Sequence, residues 1–308
     1  MKVLIKTPMT NVYSRPSDKS EVVTQAVFAT EVEIIGENDF WYQVQIPVQQ
    51  NYTGWVKKEV LFFEGERCDG RKPLLCHPCY FEEDKEGDRE PSPRHLVERK
   101  VGGDREPSPC QIGKVVVRKH SAGLKNAPAI NAEKIMELPI NSRLWVLQKQ
   151  RNWYEIWLPE GKTAWLQAED VFCEKALISG SRATGEYVLD TARSFLGVPY
   201  LWGGLTARGI DCSGLVYTVY ALCGINLHRD ADLQYKYDGF AVNREDVCPG
   251  DLVFFYEDVI EEPTHVGIYE ADQIFINASS KQNAVVRYSL LENNWRSKIS
   301  GLKRILLR

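Results

Sequence analysis

The sequence predicts two related small β-barrels followed by a domain of the α+β class, and three observations carry that expectation. Residues 1–65 alternate apolar and polar side chains between turn signals, the period of half-buried strands. A stretch at about 113–173 repeats the same plan. From about 183 the spacing becomes helical first, with short apolar strands after it, so helices and strands are segregated along the chain. A length of 308 residues suits two or three domains.

In the first region "TEVEIIGE" (30–37) and "FWYQVQI" (40–46) alternate. "NYTGWVKKEVLFF" (51–63) returns to apolar residues after a turn expected at Thr53 and Gly54. In the second, "RNWYEIWLP" mirrors "DFWYQVQIP", and "KTAWLQAEDVF" mirrors "YTGWVKKEVLF". Trp41, Trp55, Trp153 and Trp165 recur at matched positions and are expected to fill the two β cores. The paired modules resemble the bacterial SH3-like modules of cell-wall enzymes. Between them, an insert at 66–112 carries "GDREPSP" twice, at 87–93 and 103–109. Such charged, proline-bearing composition buries too little apolar surface to order itself. Its "CHPC" (76–79) has zinc-ligand spacing, but no second close pair follows, so incidental thiols rather than a metal site are expected.

In the third region "ATGEYVLDTARSFLGVPY" (183–200) puts Val188, Ala192, Phe195 and Leu196 on one helical face. Thr184 is placed to cap that helix, and Gly197 and Pro199 to end it. A second helix opens inside "GIDCSGLVYTVYAL" (209–222), where Leu215, Val219, Leu222 and Cys223 follow helical spacing. Cys212 then lies in the first turn, where unpaired N–H groups and the helix dipole favour a thiolate. The small Ser213 and Gly214 are expected to let a substrate backbone approach. Short strands follow: "GDLVFFY", "HVGIYEA", "QIFINAS" and "AVVRYSL". With a turn centred on Ala271, His265 faces Asn277 across a hairpin. A carboxamide opposite an imidazole fixes one tautomer and aims the other nitrogen at a nucleophile.

Composition narrows the alternatives. Eight cysteines are too sparse for a disulfide scaffold. Cys212 and Cys223, on one helix and about 16 Å apart, cannot pair. A net charge of −4 argues against nucleic acid as a partner. No run approaches the ~20 apolar residues of a membrane-spanning helix, so no membrane partner is expected. The N-terminal "MKVLIKTPMTNVYSRPS" lacks a signal-peptide core, so a cytoplasmic location is expected unless a leader has been removed.

Six motifs in order carry a resemblance: "YLWGG" (200–204), "DCSGLV" (211–216), "RDADLQ" (229–234), "PGDLVFF" (249–255), "THVGIY" (264–269) and "FINAS" (275–279). On them, residues 183–308 resemble the NlpC-type family of murein-peptide cysteine peptidases, which have a papain-like α+β core. The resemblance implies Cys212 as nucleophile, His265 as base and Asn277 as the third polar residue, where relatives often carry histidine. It implies Tyr200 as an oxyanion donor beside the Cys212 N–H. Asp211, Ser213 and Asp230 are implied as pocket residues for the D-glutamate and free amine of the substrate, with Ala231 where relatives often have serine. Relatives with SH3-like modules use the first one to close the cleft, and Glu21 and Tyr52 are the candidates here for contacts to the L-Ala ammonium. The implied reaction is hydrolysis of the γ-D-glutamyl–diamino acid bond, by a monomer needing no metal or organic cofactor. Its alternatives are a non-catalytic wall-binding protein and a thiol acyltransferase. The diamino acid, Lys or diaminopimelate, is left open.

Overall fold

The computed structural model describes residues 3–63, 113–178, 183–256 and 262–306. The 66–112 insert and its "CHPC" lie outside the described residues. The first barrel is built from β1 (Val3–Ile5), β2 (Met9–Tyr13), β3 (Val22–Val27), β4 (Glu31–Glu37), β5 (Trp41–Ile46), β6 (Tyr52–Lys57) and β7 (Leu61–Phe63). Its strand order is β3-β2-β6-β5-β4-β1-β7. The second comprises β8 (Lys114–Val117), β9 (Ser121–Lys125), β10 (Lys134–Pro139), β11 (Arg143–Gln150), β12 (Trp153–Trp157), β13 (Thr163–Gln167) and β14 (Val171–Cys173). Its order, β10-β9-β13-β12-β11-β8-β14, is that of the first strand for strand. The sequence repeat is therefore a repeated SH3-like topology.

Two local expectations need correction. Trp41 and Trp153 are buried, at 7% and 8% exposure. Trp55 and Trp165 are only half-buried, because Gly54 and Val56, and likewise Ala164 and Leu166, take the inward positions on either side of them. The reversal before β6 falls on Gln50 and Asn51, both at positive φ (55° and 63°). Thr53 and Gly54 lie within the strand, paired with Gln45 and Val44.

The third domain opens with α1 (Glu174–Ile178) and α2 (Gly185–Ser194), whose first turn is capped by the Thr184 hydroxyl accepting from the Tyr187 N–H at 3.2 Å. A ribbon of β15 (Leu205–Thr206) and β16 (Gly209–Ile210) leads into α3 (Cys212–Ala221), followed by α4 (Ala231–Tyr237). Then come β17 (Phe240–Ala241), β18 (Leu252–Phe255), β19 (His265–Ala271), β20 (Ile274–Ser279), β21 (Ala284–Ser289), α5 (Asn293–Arg296) and β22 (Ile299–Arg304). These strands form one antiparallel sheet in the order β17-β22-β18-β19-β20-β21. All residues of α3 are buried, which explains why it reads as apolar nearly all round. Its core unites Val216 and Val219 with Val266, Ile268 and Ile276 from the sheet. Val116, Ile140 and Phe172 of the second barrel join that same cluster. The other face of the sheet is lined by Val253, Phe255, Tyr269, Phe275 and Leu302. No described helix is long and apolar enough to cross a membrane.

The β19–β20 hairpin differs in register from the expected one. Its turn falls on Asp272 and Gln273, with φ of 49° and 64°, and Tyr269 pairs with Phe275 rather than Gln273. Two successive positive-φ residues match the twist of the flanking strands, and an irregularity between Tyr269 and Ala271 absorbs the difference. A slip of two preserves the face each side chain occupies. His265 and Asn277 are thus diagonal neighbours rather than directly opposed.

Candidate active site

Diagonal placement still brings the pair together. His265 Nε2 donates to Asn277 Oδ1 at 3.0 Å. Because the acceptor is a carbonyl oxygen, the proton sits on Nε2 and Nδ1 is left as a free acceptor. Asn277 is fully buried, so this bond is shielded from water. Cys212 is the first residue of α3 and keeps 7% of its surface exposed. Its sulfur accepts from the backbone N–H groups of Ser213 and of Val266, the residue after His265. No direct hydrogen bond joins the sulfur to the imidazole among the described residues. That gap has to close in a reacting complex, as such contacts commonly do.

The protonation of the pair departs from the expectation of a thiolate. Burial pushes the Cys212 thiol up to about 12, with the Asp211 carboxylate adding to it. The Val266 and Ser213 N–H groups and the Arg229 charge oppose that rise. Burial also pushes His265 down to about 4, against the opposing effects of Asn277 and Asp211. A helix start contributes at most about 2 kcal/mol to an anion, which is less than desolvation takes from an enclosed thiolate. Both shifts favour thiol and neutral imidazole over the ion pair.

Asp211 and Ser213, expected against the substrate, are consumed by the scaffold. Asp211 caps α3: its Oδ1 accepts from the Gly214 N–H at 2.6 Å and its Oδ2 from the Gly203 N–H at 2.8 Å. The fully buried Arg229 takes both oxygens, at 3.1 and 2.7 Å, and also donates to Ser213 Oγ at 2.9 Å. Arg229 Nε reaches into the first barrel and donates to Thr24 Oγ1 at 3.0 Å. Gly214 serves packing too, since a Cβ there would lie 2.2 Å from the Gly204 carbonyl oxygen. Arg229 escaped the sequence reading, although a signal existed. A carboxylate at the cap of an all-apolar helix demands a buried counter-charge, and "RDADLQ" supplies a cation.

The remaining candidates gather where the first barrel meets the third domain. Tyr52 donates its hydroxyl proton to Asp230 Oδ2 at 2.8 Å, although the two residues belong to different domains. Burial and the Asp230 charge hold the Tyr52 phenol well above its ordinary value, so it remains a donor. Burial raises the Asp230 carboxyl despite the Tyr52 bond and the Arg229 charge. Asp230 precedes α4 without a side-chain capping bond. Glu21 Oε1 accepts from the exposed Trp202 indole N–H at 2.8 Å, which ties "YLWGG" to the barrel. Tyr200 bridges to Ile210, and its ring packs, half-buried, on the cluster that holds Cys212.

Comparison with known proteins gives a consistent assignment for each region. The NlpC/P60 family model matches residues 197–304, a bacterial SH3 domain model residues 9–61 and the YKFC SH3b2 domain model residues 117–172. The chain is 26% identical over 297 residues to a gamma-D-glutamyl-L-lysine dipeptidyl-peptidase of Bacillus cereus, covering 94% of this chain and 77% of the relative. It is 37% identical over 117 residues to the probable endopeptidase NlpC of Escherichia coli, covering 38% of this chain and 75% of the relative. The crystal structure of an NlpC/P60 family protein from Bacillus cereus aligns over 100% of both chains, with a TM-score of 0.76 at 22% identity, so the whole fold is shared.

Proposed function

The chain belongs to the NlpC/P60 family of cysteine peptidases, and we propose that it hydrolyses the γ-D-glutamyl–diamino acid bond of murein peptides bearing a free N-terminal L-Ala. The observation that carries this substrate choice is the Tyr52–Asp230 hydrogen bond, at 2.8 Å, across the domain boundary. A carboxylate desolvated beside a phenol suits an ammonium group that must shed its own water. The names of full-length relatives, which act on gamma-D-glutamyl-L-lysine, support the same bond class.

In this mechanism Cys212 Sγ gives its proton to Nδ1 of His265 as it attacks the γ-carbonyl carbon. Asn277 holds the imidazole by Nε2 throughout. The Cys212 backbone N–H and the Tyr200 phenol receive the oxyanion, each such donor being worth about 3 kcal/mol in the transition state. The imidazolium protonates the departing amine of the diamino acid, leaving a thioester on Cys212. Water, deprotonated by the again neutral His265, attacks that thioester, frees L-Ala-D-Glu and restores the thiol. Every step uses groups of the chain itself. The cellular task that follows is recycling of released wall peptides rather than dissolution of intact wall.

Mass spectrometry of L-Ala-γ-D-Glu-L-Lys incubated with the protein tests the proposal. Release of L-Ala-D-Glu, abolished in Cys212→Ala, is the expected result. Turnover unchanged in that variant would remove the nucleophile, and products heavier by an added amine would indicate acyl transfer. Cleavage of intact sacculi as fast as free tripeptide would overturn the recycling role.

A further inference from the structure

We infer that Trp295 is a positioning residue for the imidazole of His265, an inference that rests on His265 acting as the base. The Trp295 indole stacks on the His265 ring, with centroids 5.4 Å apart and planes 29° from parallel. The indole is itself clamped. Phe255 meets it edge-on at 4.9 Å, Phe275 edge-on at 5.3 Å and Tyr288 at 5.0 Å. Phe275 in turn lies over Gly267, where a Cβ would come within 2.5 Å of the ring, so the aromatic stack rests directly on β19. Trp295 is carried by α5, closed by the Trp295 N–H to Glu292 and the Lys298 N–H to Trp295, at 3.0 and 3.1 Å.

The need for such a contact follows from what Asn277 provides. One in-plane hydrogen bond to Nε2 fixes a point on the ring but leaves rotation about that bond free. No hydrogen bond from the sulfur restrains the other side in the resting state. A flat aromatic face in offset contact removes the remaining freedom, and aromatic pairs of this kind gain energy beyond their buried area. Phe255, at 5.9 Å from His265, closes the stack at its edge. The pair Asn277 and Trp295 thereby sets both the tautomer and the tilt, leaving Nδ1 directed along one line.

Steady-state kinetics of Trp295→Phe and Trp295→Leu on L-Ala-γ-D-Glu-L-Lys, with melting temperatures and the rate of Cys212 alkylation by iodoacetamide, test this. Trp295→Leu is expected to lower kcat about 100-fold, the cost of ångström-scale misplacement of a reacting group, with KM unchanged. Alkylation of Cys212 should slow with it, and Trp295→Phe, which keeps a ring plane, should recover most of both. If Trp295→Leu does not fold, Trp295→Met fills the space without a plane and serves in its place. Normal kcat in the aliphatic variant, or equal losses in both variants that track melting temperature, would overturn the inference. His265→Ala separates the two levels. If it is inactive while Trp295→Leu is normal, only the role of Trp295 fails; if it retains full turnover, the mechanism beneath fails too.

Discussion

The first barrel meets the α+β domain with polar side chains: Thr24 on Arg229, Gln25 on the Leu205 N–H, Tyr52 on Asp230 and Glu21 on the Trp202 indole. The second meets it mainly with apolar ones, Val116, Ile140 and Phe172 entering the core around α2 and α3. Its polar contacts include Arg143 to Asn226 and Asn141 to the carbonyl of the buried Thr218. Both barrels have one strand order, so the difference lies in side chains and not in topology. Apolar contact is non-directional and contributes stability. Hydrogen bonds to buried charges are directional and fix where groups lie. The second barrel is held to the α+β domain through a shared core, and the first through polar groups that, in the proposed function, complete the site.

Removing the charge that links the first barrel to α3 should have the largest effect. Arg229→Leu leaves Asp211 buried without its partner, and urea denaturation should show a loss of about 3–5 kcal/mol, accompanied by loss of turnover. In the second barrel, Phe172→Ala should cost about 3 kcal/mol in the same measurement, with KM for the tripeptide unchanged. If Phe172→Ala altered KM as strongly as stability, the division of labour between the barrels would be wrong. Tyr52→Phe removes one hydrogen bond to a charged group. It should raise KM for free-amine peptides about 10-fold and lower the melting temperature far less than Arg229→Leu does.

The pH dependence should divide in the same way. A base must be neutral to accept a proton, so kcat is expected to persist above and fall below about 4, where burial has driven His265. Amine binding needs Asp230 ionised, and burial raises that carboxyl. KM for the free-amine peptide should therefore worsen as falling pH protonates Asp230. A KM that stays constant over the acid range in which kcat falls would show that Asp230 does not contribute to recognition of the amine.

Much of this was legible before any coordinates. Strand periods revealed both barrels because each strand has one inward face, and the repeated Trp-Tyr pattern exposed their kinship. The helix with Cys212 at its start was readable from spacing, and the meeting of His265 with Asn277 survived a register error because a slip of two keeps the face. What failed was what depends on three-dimensional surroundings. Trp55 and Trp165 face outward because smaller neighbours take the core positions. Asp211 was read as a ligand for substrate although Arg229 occupies both its oxygens. The helix start that favours a Cys212 thiolate was visible in the sequence, and the burial that opposes it was not. Trp295 had no signal at all, since His265, Phe255 and Phe275, three of its four ring partners, lie on strands distant in sequence.

The central claim is that the seam between the first barrel and the α+β domain, where Tyr52 bonds Asp230, recognises the free amine of the peptide, and one comparison of rates tests it most directly. The kcat/KM of L-Ala-γ-D-Glu-L-Lys is measured against that of its N-acetyl derivative, in the parent protein and in Asp230→Asn. The parent should strongly prefer the free amine, and Asp230→Asn should largely erase the preference by slowing the free peptide alone. Equal rates on both peptides in the parent protein, or a preference untouched by Asp230→Asn, would contradict it.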